Sequence, residues 1–170
     1  MSKTTNKFSP EVRTRAVRMV LEHGAVAGYA LQDVRVIVYE GKYHPVDSKE
    51  VAFVTAGKKA FQDAIGKARP LILEPIVNLD VEVPDQYMGD VTGRLSSKRA
   101  RINGTDSART GELVIKAQVP LAEIGDYSNE LKALTGGQGR YSIEFSHYEA
   151  VPGQVQKQLV EAFKPRADEE

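Results

Sequence analysis

LILEPIVNLDVEVPDQYMGDVTGRLSSKRARINGTDSARTGELVIKAQVPLAEIGDYSNELKALTGGQGRYSIEFSHYEAVP, residues 71–152, decides the fold. Val77, Leu79, Val81 and Val83 alternate with Asn78, Asp80 and Glu82, so one side of an extended segment faces a core and the other faces water. Pro84 stops the strand. Asp85 offers an N-cap oxygen to a helix whose apolar positions are Met88, Val91 and Leu95, and the basic run Lys98, Arg99, Arg101 suits that helix's C-terminus. Asn103 and Gly104, followed by Asp106 and Ser107, carry turn or irregular-strand chemistry. Leu113, Ile115, Ala117 and Val119 then alternate with Val114, Lys116 and Gln118 as a third strand. Pro120 opens a second amphipathic helix on Leu121, Ile124, Leu131 and Leu134, closed by Gly136 and Gly137. Tyr141, Ile143, Phe145 and His147 alternate with Ser142, Glu144 and Ser146 as the last strand. The order strand, helix, strand, strand, helix, strand predicts an α+β, ferredoxin-like split βαβ sandwich, a four-stranded antiparallel sheet with two helices on one face.

Outward from this domain, residues 25–70 hold an incomplete strand-helix unit. Val34, Val36 and Val38 alternate while Ile37 and Tyr39 make the other face apolar, so this strand expects cover on both sides. Asp47 and Glu50 have capping-box spacing, and Phe53, Ala56, Ala60, Ala64 and Ala68 mark one face of a helix that Arg69 and Pro70 end. With nothing evident to cover it, an apolar surface around Val34, Val36, Val38, Phe53 and Phe61 is expected, and with it possible self-association through residues 34–61. Residues 1–24 differ in character: a polar start, Ser9-Pro10 as N-cap and N1, an apolar face of Val12, Ala16, Val20 and Leu21, a basic side of Arg13, Arg15 and Arg18, and Gly24 as terminator. Residues 153–170 read as a C-terminal helix carried by Val155, Leu159 and Val160, docking back on the sheet or the preceding unit, and a disordered tail.

Composition narrows the function classes. The 170 residues carry 23 Lys plus Arg against 23 Asp plus Glu, so no global field draws the chain to nucleic acid or membrane and any basic surface is local. Cysteine is absent, which removes disulfides and thiolate metal sites and fits a reducing cytosol. No apolar run approaches the ~18 residues of a membrane span, and a cytoplasmic protein is expected.

Catalytic machinery is not evident. A phosphate loop needs Gly-Lys-Ser/Thr, and Gly57-Lys58 is followed by Lys59. Asn6-Lys7 begins like a guanine-reading motif, but Ser9 stands where the aspartate belongs. Gly136, Gly137 and Gly139 precede a strand, so they read as turn glycines with no helix N-terminus to bind anions. Of the three histidines, His44 beside Asp47 reads as a solvated pair and His147 as a core or boundary residue; neither has the companions a metal needs. The expectation is a non-enzyme with no catalytic residues, no cofactor and no metal. Base stacking on the open sheet face would need aromatics, whereas Asn78, Asp80, Glu82, Ser142, Glu144 and Ser146 stand there. Arg94, Lys98, Arg99 and Arg101 remain, either as a solvated helix end or as a grip on phosphates that reads no sequence.

LEPIVNLDVEVPDQYMGDVTGRLSSKRARING, VIKAQVPLAEI and GGQGRYSIEFSHYEAVP resemble the last domain, domain V, of translation elongation factor G. YALQDVRVIVYEGKYHPVDSKEVAFVTAGKKAFQDAIGKARP resembles the end of its domain IV, and AVAGYALQDVRVIVYEG and LTGGQG lean toward a second, paralogous type. The chain departs from the family's usual acid at Arg94 and glycine at Ala100, in the hairpin NGTDSARTGE, and in IGDY, which lacks an aromatic often found there. Within residues 1–24, KFSPEVRTRAVRMVLEHG is similar to the start of an insertion-sequence transposase helix-turn-helix subunit. No recognition helix follows it.

The resemblance implies a C-terminal fragment that docks on the ribosome, at large-subunit rRNA and stalk-base proteins. Arg94, Lys98, Arg99 and Arg101 are the rRNA-contact candidates. GTP would bind a domain of the family that this chain does not show. Two other readings stand beside it: a truncated gene-fusion relic without function, and a DNA-binding relic of a transposase.

Overall fold

The computed structural model describes Arg18, Gly24, residues 26–38 and residues 49–163. In chain order the elements are α1 (Glu50–Lys67), β1 (Leu73–Pro84), α2 (Met88–Ser97), β2 (Arg101–Arg109), β3 (Glu112–Pro120), α3 (Tyr127–Thr135), β4 (Arg140–Ala150) and α4 (Gly153–Ala162), with 3-10 turns at Asp85–Tyr87 and Leu121–Ile124. They fall into two compact units: Leu73–Val151, and the residues on either side of it.

Leu73–Val151 is the ferredoxin-like sandwich. Its sheet runs β2-β3-β1-β4 with every neighbouring pair antiparallel. The alternation in β1 does what its sequence requires: Val77, Leu79, Val81 and Val83 are buried, while Asn78, Asp80 and Glu82 are only half-buried. Against them pack Ile115, Ala117 and Val119 of β3, Val91 and Leu95 of α2, and Ile124, Tyr127 and Leu131, in one continuous core. Each Val, Leu or Ile among them contributes about 1.5–3 kcal/mol on burial. Gly136 ends α3 in the left-handed region at φ 59°, and the Gly137 N–H donates to the Lys132 carbonyl at 2.9 Å. The expected glycine stop is therefore a true helix cap.

Local details depart from the sequence reading. Asp85 and Leu121 each open a 3-10 turn instead of an α-helix, and the Asp85 side chain makes no cap. The tighter turn rotates the apolar stripe, leaving Met88 and Leu121 exposed while Val91, Leu95 and Ile124 are buried. Arg101–Arg109, by contrast, takes the irregular-strand alternative of its reading: it is an edge strand with two register shifts and every residue exposed. In β4 a bulge lies between the pairs Ile76–His147 and Val77–Phe145, so His147 leaves the face of Tyr141, Ile143 and Phe145 and sits half-exposed at the boundary.

In the other unit, Phe61 and Ile65 of α1 are buried against Val26, Leu31 and Val36. Helix α4 belongs here: the Gln156 side chain accepts from the Ile72 N–H at 3.2 Å and donates to the Pro70 carbonyl at 3.1 Å. Gly28, at φ 72°, lies so close to the Phe163 ring that a Cβ would stand 2.6 Å from it. Residues 34–38 form no strand and pair with no described segment. Of the expected apolar surface, Val34 and Val38 are exposed, Val36 and Phe53 half-buried and Phe61 buried, so the patch is smaller than the sequence implied. Of the expected capping box only Glu50 is described. Helix α1 starts at Glu50 after Lys49, which puts Glu50 in its first position instead of the third. Asp47 lies outside the described residues, as does His44. Of the expected N-terminal helix only Arg18 and the terminating Gly24 are described, and Arg18 is helical.

Candidate nucleic-acid interface

The four cations singled out in the sequence converge where α2 ends. The Lys98 and Ala100 N–H groups both donate to the Leu95 carbonyl, and Arg99 between them adopts φ 58°. That left-handed turn, usually glycine's, reverses the chain into β2 and swings successive cations toward different neighbours.

Each cation meets a carboxylate. Arg94 Nε donates to Glu130 at 3.1 Å, and Lys98 Nζ donates to the other oxygen of Glu130 at 2.9 Å and to the Glu123 carbonyl at 2.9 Å. Arg99 grips the buried Glu74 with both terminal nitrogens, at 2.7 and 2.9 Å, while its Nε donates to Glu123 at 2.8 Å. Arg101 donates to Glu149, which also meets His147 Nε2 at 2.8 Å. The result is a continuous ionic strip joining α2, α3 and β1, with a second pair at the start of β2.

Titration behaviour follows from these contacts. Hydrogen bonds from Arg94 and then Lys98 hold Glu130 below the usual carboxylate range, and Arg101 and His147 do the same to Glu149. Glu130 in turn raises Arg94, and Glu74 raises Arg99 against the opposing effect of burial. These shifts favour the charged forms of Glu130, Glu149, Arg94 and Arg99 at neutral pH.

Exposure divides the four cations into two kinds. The Arg94 and Arg101 side chains are 49% and 58% exposed, whereas Lys98 is 12% and Arg99 31% exposed. Arg94 and Arg101 retain free donor directions toward solvent, since a guanidinium carries five N–H groups. Lys98 and Arg99 spend theirs inside the corner. The acidic partners were not evident in the sequence, because they stand 24 to 48 positions from the cations they hold.

The open sheet face is polar and largely self-paired. Gln118 Nε2 donates to Asn78 at 3.1 Å, Lys116 meets Asp106 at 2.6 Å and Arg140 meets Glu82 at 2.8 Å. Across from Asn78 and Asp80 stand Gln118, Lys116, Glu144 and Ser142, none of them a ring for a base to stack on. Among the described residues no group of His, Cys, Asp and Glu is disposed to hold a metal. No helix among them is long and apolar enough to cross a membrane.

Fold and corner together define a ferredoxin-like α+β module whose distinctive chemistry is ionic and lies on its surface. Residues 71–159 match the family described as elongation factor G C-terminus, and residues 2–69 match elongation factor G, domain IV. The chain belongs to the elongation factor G family. The domain IV match covers the whole of residues 7–24, whose wording resembles a transposase subunit. A crystal structure of a protein from Thermus thermophilus is similar over 92% of this chain, with 37% identity and a TM-score of 0.73. This chain spans 24% of that protein's chain.

Proposed function

We propose that this chain is a ribosome-docking part of an elongation factor G-like translocation factor, acting in the cytoplasm and itself performing no catalysis. The observation that carries the reading is the family match over residues 71–159, together with a cationic corner in that same segment. In this reading Arg94 and Arg101 reach rRNA phosphates, while Lys98 and Arg99 hold α2 and the start of β2 in the shape that presents them. The neighbouring carboxylates temper the local charge, which suits a docking step that must reverse. Stalk-base proteins of the large subunit supply the rest of the contact.

Co-sedimentation with ribosomes tests this. Binding at low salt is expected to fall as salt rises, because phosphate contacts release counterions. Arg94→Ala with Arg101→Ala reduces binding and flattens the salt dependence by about two contacts' worth. Ribosome binding that is absent at low salt, or unchanged in the double variant and in one lacking all four cations, rejects the assignment.

A further inference from the structure

We infer that strand β4 is a docking edge for a second copy of this chain, paired antiparallel to itself about Ser142. Among the described residues, both β2 and β4 are sheet edges, each hydrogen-bonded on one side only. They are protected very differently. Every residue of β2 is exposed, its composition is polar, and two register shifts break its ladder, the usual devices by which an edge refuses a new strand. Strand β4 runs without irregularity from Arg140 to Phe145, its single bulge lying beyond. Along that regular stretch Ile143 and Phe145 are 42% and 56% exposed, although they pair with Leu79 and Val77 of the core strand and share their face. The apolar face of the sandwich thus continues uncovered to this edge.

Charge complementarity selects the occupant. Arg140, Ser142 and Glu144 lie on the open face of β4, opposite Glu82, Asp80 and Asn78. A two-fold axis at Ser142 sets Arg140 of each copy across from Glu144 of the other, giving two oppositely charged cross-strand pairs. On the other face the same register sets Tyr141 of each copy across from Ile143 of the other. An aromatic–β-branched pair is a favourable partnership across antiparallel strands. Joining the two edges makes one continuous eight-stranded sheet and satisfies the backbone groups that β4 otherwise leaves to water.

Sedimentation equilibrium of the whole chain over a range of concentrations tests the inference. A monomer–dimer equilibrium is expected. Glu144→Arg, which sets like charges across both pairs, weakens the dimer roughly tenfold or more. Phe145→Thr weakens it as well, whereas Ile102→Thr on the opposite edge and Ile37→Thr in the other unit leave it unchanged. Mixing Glu144→Arg with Arg140→Glu restores dimers between the two variants, each shown folded by circular dichroism. A chain that stays monomeric at the highest concentration overturns the inference. So does a dimer that Glu144→Arg and Phe145→Thr leave intact, or one that Ile37→Thr abolishes.

Discussion

Tyr127 shows how a single atom can be out of place in a well-packed core. Its ring is fully buried and meets Tyr141 edge-on, with centroids 5.3 Å apart, but its hydroxyl has no hydrogen-bond partner. Burial pushes its phenol pKa far above the ordinary value. The ring stabilises and the hydroxyl opposes, because a buried donor without a partner costs about 1–3 kcal/mol. Tyr127→Phe is therefore expected to leave stability unchanged or raise it by up to about 2 kcal/mol, while Tyr127→Ala costs about 3–5 kcal/mol. Urea denaturation checks both, and a large loss in Tyr127→Phe would mean that the hydroxyl has a partner after all. Arg99 poses the opposite balance. Its left-handed backbone would favour glycine by about 1 kcal/mol, yet its guanidinium is what satisfies the buried Glu74 carboxylate. Arg99→Gly is expected to be net destabilising by roughly 1–3 kcal/mol, and a stabilised variant in the same urea assay would show that backbone strain wins.

At the scale of elements, the ionic corner ties α2 to α3 through Glu130 and makes their packing sensitive to acid. Glu130 is held below the usual carboxylate range when folded, so between its folded value and about 4.3 the unfolded chain binds more protons. Its contribution is thus fully present above the unfolded value and is lost as pH falls through the folded one. Thermal midpoints are expected to drop on acidification below about pH 4.5, and Glu130→Gln should show a shallower drop. An equally steep acid limb in Glu130→Gln would assign that fall to other carboxylates. This linkage could not be read along the chain, because Glu130 stands 36 and 32 positions from Arg94 and Lys98 and carries no local pattern. What was legible is what periodicity encodes: β1 and β3, buried on one face, announce themselves by alternation. Strand β2 does not, because as an edge exposed along its whole length it has no apolar face to alternate. Val34, Val36 and Val38 fail in the reverse sense. They have the alternation of a strand, but a strand is completed by its neighbour's backbone and none is described beside them. Tyr127, the largest fully buried side chain among the described residues, stands three positions after Ile124 and four before Leu131, on the stripe those two mark; its hydroxyl, not its spacing, set it apart from the apolar pattern.

For the whole molecule, the decisive contrast is between the two cores. Leu73–Val151 encloses a continuous cluster spanning β1, β3 and both of its helices, whereas among the described residues the other unit is centred on Phe61 and Ile65 with half-buried Val26, Leu31 and Val36 around them. Cooperative stability grows with the apolar surface a unit withdraws from water, so a small cluster opens at lower cost than a continuous one. Unfolding is accordingly expected to depart from a single two-state step. Helical signal from α1 and α4 should be lost at lower denaturant concentration than sheet signal from β1 and β3. Native-state hydrogen exchange makes the same separation residue by residue. Amides in the centre of β1, paired on both sides by β3 and β4, exchange only on global opening, while those of residues 34–38, outside any ladder, exchange fastest among the described residues. Phe61→Ala should then lower the first transition and leave exchange in β1 unchanged, since the two residues serve separate cores. Coincident transitions at every probe, with β1 protection falling in step with α1 in that variant, would show that the two units fold as one.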